Sequence, residues 1–392
     1  MNSNTGYSRT IKASCLGYVT QAVVNNLAPL LFLTFQELYN ISMERITLLI
    51  TINFTIQLFV DLLSAGLIDR VGYRRAIVFA HICSAAGIGG MAVFPAICGD
   101  AYMGLVMSVV LYAVGGGLIE VLISPIVEAC PTEKKDASMS LLHSFYCWGH
   151  VIVVVVTTCF FAVFGRAWWR VLCVLWALLP VCNAAYFGRV PIRSLNEEQE
   201  PMAWRGMFSD KLFLVFVLLM VCAGASEQAM SQWASVFAES GLQVPKEAGD
   251  LAGPCMFAAL MGVSRLTYAR FSDRISLKRF MLGSSVLCIV SYVLAVFSEN
   301  PVLGLAGCGL CGLSVGILWP GTYSLASRSL PGGGTAMFAF LALAGDLGCT
   351  LGPTVVGMAS AGIGSIQGGL LTAIFFPGML LLGVVLWNLI KN

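Results

Sequence analysis

Several ionisable side chains stand inside long apolar runs of this chain: Asp61, His81, Glu120, His143, His150, Glu227 and Asp346. Such a group is expensive in an apolar run, so each is a candidate for ligand binding or proton transfer. Glu120 follows three glycines in GGGLIEVLISP, where a neighbouring backbone or a ligand can come close. His143 and His150 share one helix face, with His150 expected at about the depth of Glu120 and His143 two turns below. A carboxylate beside an imidazole is a proton-exchanging couple. Farther along, GASEQAMSQW gathers Glu227, Gln228 and Gln232 within about a turn and a half, with Trp233 as an apolar platform beside them. A carboxylate and two amides suit a ligand rich in hydroxyl or amide groups. Asp346 holds the place in its run that His150 holds in the earlier one, and Asn25, Asn26, Tyr146 and Trp319 complete the candidates. A plainer role, a helix-to-helix hydrogen bond or a charge near a helix end, stands against each. It suits Asp61 and His81 best.

The elements that must carry these residues follow from composition. Only 11% of residues are charged and 58% are hydrophobic, against roughly a quarter charged in soluble domains. So little polar material cannot cover a soluble fold of this size. The apolar runs read as transmembrane helices at 10–36, 46–68, 75–97, 101–129, 137–163, 168–187, 211–238, 248–270, 277–297, 301–327, 335–361 and 367–390. Each is near or above the ~20 residues that cross ~30 Å of hydrocarbon. The expected fold is an all-α integral membrane protein with twelve transmembrane helices in two six-helix bundles. Residues 1–187 form the first bundle, 188–210 a cytoplasmic linker and 211–392 the second. On this placement all of the 22 lysines and arginines except Arg45, Arg166, Arg170 and Lys246 fall on the side of the termini. The positive-inside rule then puts both termini in the cytoplasm, with the chain in the cell's inner membrane. The first apolar stretch runs into a span without a cleavage pattern, so no signal peptide is expected.

A net charge of +2 offers no field for nucleic acid. The 14 cysteines lie scattered through apolar runs, which reads as buried packing and not as a metal or disulfide framework. Neither an HExxH phrase nor a Ser–His framework stands out, so an enzyme is not expected, and no cofactor or metal is called for.

One charged phrase is written twice. LIDRVGYRR spans Leu67–Arg75 and FSDRISLKR spans Phe271–Arg279. Both fall in tight cytoplasmic turns, where bases anchor a loop. The aspartates add something orientation does not need, because a carboxylate near a helix start accepts its free N–H groups and opposes its dipole. Asp69 is expected to reach the start of span eleven, and Asp273 the start of span five. With Arg70, Arg74, Arg75, Arg274, Lys278 and Arg279 they would form a cytoplasmic gate.

Two six-helix halves, a short central linker and this doubled phrase resemble the major facilitator superfamily over the whole chain. The resemblance implies alternating access, with solute held between the halves near the midplane. Within that superfamily, GGGLIEVLISPIVEACP followed by SLLHSFYCWGH is similar to the fucose–glucose–galactose permease group of proton symporters. Glu120 matches the group's glutamate, Ser124-Pro125 stands where Asn-Pro is usual, and VNNLAPLLFLTFQ resembles its first helix. An acid of that helix falls at Pro29 here, where none exists. The resemblance implies that Glu120 carries the proton or coordinates the solute, and the missing acid leaves open that coupling has moved to Glu227, Asp346 or a histidine. The expected function is secondary active transport of a small polar solute, a sugar or related metabolite, together with protons, by a monomer in the lipid bilayer. Two alternatives stay open: a proton-antiport exporter of amphipathic compounds, suggested by 23 phenylalanines and 16 methionines, and a membrane sensor that transports nothing.

Overall fold

The structure, a computed structural model, describes residues 3–130, 135–192, 208–271, 275–298, 300–330 and 334–391. All regular elements among them are helical. In chain order they are α1 (Ser3–Asn26), a 3-10 turn (Ala28–Leu31), α2 (Phe32–Tyr39), α3 (Met43–Val71), α4 (Tyr73–Ile97), α5 (Ala101–Glu128), α6 (Lys135–Phe164), a second 3-10 turn (Arg166–Trp168) and α7 (Trp169–Phe187). The second half contains α8 (Lys211–Val236), a π segment (Phe237–Gly241), α9 (Lys246–Asp250), another π segment (Leu251–Cys255), α10 (Met256–Phe271) and α11 (Leu277–Phe297). It ends with α12 (Pro301–Val315), α13 (Leu318–Ser329), α14 (Gly334–Ile363), α15 (Ile366–Ala373) and α16 (Phe375–Lys391).

Eleven helices among the described residues are long and apolar enough to cross a membrane. Large apolar side chains such as Leu63, Ile97, Val163 and Val302 are exposed on them, as a lipid solvent allows. The expected eighth span is the exception. Its α portion is cut to 16 residues, although the helical path runs on from Lys246 to Phe271.

Spans one, eight and ten are among those that depart from single helices, and each of the three does so beside a proline. Proline lacks the N–H that would bind the carbonyl four residues earlier. Pro29 sits in the 3-10 turn after α1, Pro254 in the second π segment, and Pro320 just after the α12–α13 break. The carbonyls released from regular helical bonding are those of Asn25, Asp250 and Gly316. The side chains of Asn25 and Asp250 belong to polar clusters described below, and the Gly316 carbonyl accepts from Arg265.

Two compact units are formed: Met1–Ser42 with Ile52–Glu197, and Met43–Thr51 with Glu198–Asn392. The first turns of α3 thus group with the second unit, where the Thr51 and Thr354 hydroxyls hydrogen-bond. In the first copy of the doubled phrase the turn rests on Gly72 at φ 85°, a conformation side chains resist. In the second, Ser276 sits at φ −61°, so that turn needs no glycine.

Candidate functional site

Within the first unit, α1, α3 and α5 bring a carboxylate and a chain of amides together. Gln21 donates through Nε2 to Glu120 Oε2 at 3.0 Å and to Gln57 Oε1 at 2.9 Å. Gln57 donates in turn through Nε2 to Asn25 Oδ1 and Asn53 Oδ1, both at 2.9 Å. Asn53 Nδ2 closes the set on Asn25 Oδ1 at 3.4 Å. The four amide side chains are buried, while Glu120 is half-buried. Helical spacing assembles the set, since Gln21 and Asn25 lie four apart on α1, as Asn53 and Gln57 do on α3. The glycines before Glu120 serve this packing. A Cβ built on Gly116 would lie 2.8 Å from Val24 Cγ1 and 3.0 Å from Gln21 Oε1, and one on Gly117 would lie 3.0 Å from Val60 Cβ.

Other candidates of this unit fall around the set. Asn26 Nδ2 donates to Ala22 O at 2.9 Å and reaches the Tyr146 hydroxyl at 3.5 Å. His143 is exposed, with its ring 5.2 Å from that of Tyr18, whose hydroxyl pairs with Ser124 Oγ at 3.1 Å. His150 is buried and forms no hydrogen bond to Glu120. His81 bridges helices: Nδ1 meets Ile77 O at 2.8 Å, and Nε2 meets Asn183 Nδ2 at 2.9 Å. Asp61 is half-buried on α3.

The second unit holds its carboxylate differently. Glu227 on α8 lies 3.9 Å from the Arg265 guanidinium of α10. Gln228 Nε2 reaches Glu227 Oε1 at 3.5 Å, and Gln232 Nε2 donates to Gln228 Oε1 at 3.1 Å. Arg265 Nε also donates to Gly316 O at 3.2 Å, the carbonyl that Pro320 cannot serve. On sequence Arg265 was expected at the cytoplasmic end as a topology anchor. The structure instead sets it more than a turn inside α10, where it ties α8 to the break after α12. Trp233, expected as a platform, is fully buried with its indole N–H on Pro353 O at 2.9 Å. Its position on α8 turns it into the packing with α14. The half-buried indole among the described residues of this unit is Trp319, which lies against Gly345 and edge-on to Tyr323. Asp346 is buried on α14.

A second ion cluster in this unit was not anticipated. Lys246, 4% exposed and expected as an outer-loop charge, has Nζ 3.0 Å from Asp250 Oδ2 and 3.9 Å from Glu239 Oε2. Ser235 Oγ donates to Asp250 Oδ1 at 2.5 Å and receives Lys246 Nζ at 3.3 Å. Burial of a lysine requires such partners.

Of the expected gate, Asp273 and Arg274 lie outside the described residues, as do the side chains of Asp69 and Arg70. Arg74 donates to three carbonyls, Phe187 O, Gly188 O and Val190 O, at 2.8–3.0 Å. It thereby caps the end of α7, where the free carbonyls attract a cation. Arg75 and Arg279 are exposed, and Lys278 lies 5.8 Å over the Trp387 ring.

Gln21, Asn53, Gln57 and Arg265 were missed on sequence because amides and a span-end base carry no alarm individually. Their signal is spacing: paired amides one turn apart within apolar runs.

Comparisons with known proteins agree with this architecture. Residues 14–353 match the family model described as Major Facilitator Superfamily. "Membrane protein MosC" of Rhizobium meliloti is 24% identical over 264 residues, which is 67% of this chain and 63% of that protein. The chain thus matches less than two thirds of that relative's length. Among solved structures, a mutant of the nucleoside transporter NupG superposes with a TM-score of 0.79 at 14% identity, covering 97% of this chain and 99% of that one. The E. coli fucose:proton symporter FucP superposes at 0.67 and 16% identity, covering 97% and 99%. A bacterial homologue of the human lysosomal transporter Spinster gives 0.74 at 12% identity, covering 98% and 96%.

Proposed function

The chain belongs to the Major Facilitator Superfamily, a multi-pass membrane transporter fold, and on that premise we propose that it carries a small hydroxyl-bearing solute together with a proton. A sugar or a nucleoside fits this description. The observation that carries the reading is the Glu120–Gln21–Gln57–Asn25–Asn53 set. One carboxylate is present to take a proton, and a run of amides matches hydroxyl groups that both donate and accept. Two relatives of the same fold support the solute class, since one is named a nucleoside transporter and the other a fucose:proton symporter. Fucose and the ribose of a nucleoside share the hydroxyl chemistry that amides recognise.

Alternating access would move residues 1–187 against 211–392, with 188–210 as the linker. A monomer in the inner membrane, both termini cytoplasmic, completes the reading. Glu120 is the proton carrier within it, and Glu227 with Arg265 keeps the second half electrically balanced in the apolar medium.

The test is uptake into proteoliposomes. Labelled fucose and uridine are offered with and without an inward proton gradient. Accumulation that collapses with a protonophore is the expected result. Gradient-driven extrusion of amphipathic dyes without sugar or nucleoside uptake would replace symport with export. An absence of gradient-sensitive flux for every probe would replace transport with sensing.

A further inference from the structure

We infer that the buried amides of the first unit are a relay that reports the protonation of Glu120 to Asn25 and Asn53, reversing which hydrogen-bonding face they show. The inference rests on Glu120 as the proton carrier. Its own ground is the direction of the hydrogen bonds. Both amide protons of Gln21 are used, one on Glu120 Oε2 and one on Gln57 Oε1. Its carbonyl Oε1 is buried without a partner. A buried acceptor left unsatisfied is costly, so this orientation of Gln21 is imposed from outside the residue. Glu120 imposes it, because a carboxylate accepts and cannot donate.

Protonation reverses that demand. The proton arrives from solution and forms an O–H on Glu120; no other bond breaks. The new O–H needs an acceptor, and Gln21 Oε1 is the unused one. Rotation of the Gln21 amide brings Oε1 to Glu120 and places the same oxygen towards Gln57. Gln57 must then turn to donate to it. Its own oxygen now meets Asn25 and Asn53, which had been accepting from it. Both must turn their NH2 groups inward and present their carbonyls on the opposite side. Every amide in the set thus changes sense with one proton. Gly116 makes the movement feasible, because its missing Cβ leaves room beside Gln21 Oε1 and Gln57 Oε1. In the protonated state Asn25 and Asn53 offer acceptors to solute hydroxyls, so proton and solute favour one another's binding.

The titratable side chains on helices around α5 include Tyr18, Asp61, His81, His143, Tyr146 and His150, with the thiols of Cys15, Cys83 and Cys147. A Glu120→Gln subtraction separates their signals from that of Glu120. Infrared difference spectra of the purified full chain, between mildly alkaline and mildly acidic buffer, read both events without any solute. Wild type should gain a carboxyl band on acidification together with shifts of side-chain amide carbonyl bands. Glu120→Gln should lose both. Gln57→Met should keep the carboxyl band and lose the amide shifts beyond Gln21. Asn53→Leu, which removes one of the two amides that accept from Gln57, should lose only the Asn53 part of the amide shifts and keeps the test open if Gln57→Met does not fold. A Glu120 carboxyl band with unchanged amide bands in wild type overturns the relay and leaves the proton carrier intact. An absence of any Glu120-dependent carboxyl band overturns the carrier and the relay with it.

Discussion

Glu120 and Glu227 both place a carboxylate on an apolar helix, one in each half, yet they are held by different chemistry. Glu120 is met by an amide, and behind that amide stand three more. Glu227 is met by a guanidinium at 3.9 Å, and in the same half Asp250 is met by the Lys246 ammonium at 3.0 Å. An amide supplies hydrogen bonds but no opposite charge, and it can rotate to donate or accept. A cation supplies charge, and a proton added to its partner carboxylate would leave that cation unbalanced. The amide contact can therefore serve Glu120 with or without a proton, and the ion-paired acids are suited to hold helices in place.

That contrast can be broken by substitution, and the ion-paired side should show the largest effects. Lys246→Met leaves Asp250 and Glu239 without their buried cation, an expected loss of about 3–5 kcal/mol. Thermal or denaturant unfolding in detergent measures it. Adding Asp250→Leu to the same chain should recover most of the loss, since an apolar pair of similar volume often matches a buried ion pair. If Lys246→Met costs no more than Gln57→Met on the amide side, the distinction between the halves fails. Arg265→Gln comes next. It withdraws the donor from Gly316 O and the charge from Glu227, for about 1–3 kcal/mol. Combined with Glu227→Gln it should lose less than the two changes summed, because each relieves the imbalance the other creates. Strict additivity would mean that the 3.9 Å pair is not felt.

The all-helical membrane fold was legible, with eleven long apolar helices among the described residues, because lipid demands unbroken apolar length and leaves few charges to misread. The breaks were legible only as prolines, for Pro29, Pro254 and Pro320 mark where a helix loosens but not that Arg265 will take the Gly316 carbonyl. Glu120 and Glu227 announced themselves as costly charges. Their partners did not, since Gln21 and Gln57 are unremarkable amides until three helices converge, and Arg265 reads as one more base near a cytoplasmic end. Trp233 shows the opposite error: its neighbours in sequence are polar, but the helix turn carries it into the α14 contact. Trp233→Phe tests that packing role. It removes one buried hydrogen bond to Pro353 O, for about 0.5–1.5 kcal/mol, and should leave solute affinity unchanged.

The smallest change in stability is expected where the largest change in function is. Glu120→Gln keeps a neutral side chain that can either accept from Gln21 or donate to it, so unfolding should move by less than about 1 kcal/mol. Glu227→Gln, by contrast, leaves Arg265 without its carboxylate and should destabilise more. The functional order should be the reverse. With Glu120 as carrier, the glutamine imitates its protonated form. Solute should still bind and exchange across the membrane, since both steps need only the neutral side chain. Accumulation against a gradient should disappear, because no proton can leave. Glu227→Gln should keep coupling in whatever fraction of protein remains folded. Measuring exchange and gradient-driven uptake side by side, each normalised to folded protein, separates the roles. Full concentrative uptake by Glu120→Gln would end its claim to the proton and move the search to Glu227 and Asp346. A loss of exchange as well as accumulation would make Glu120 a solute contact, because an amide then fails where a carboxylate served.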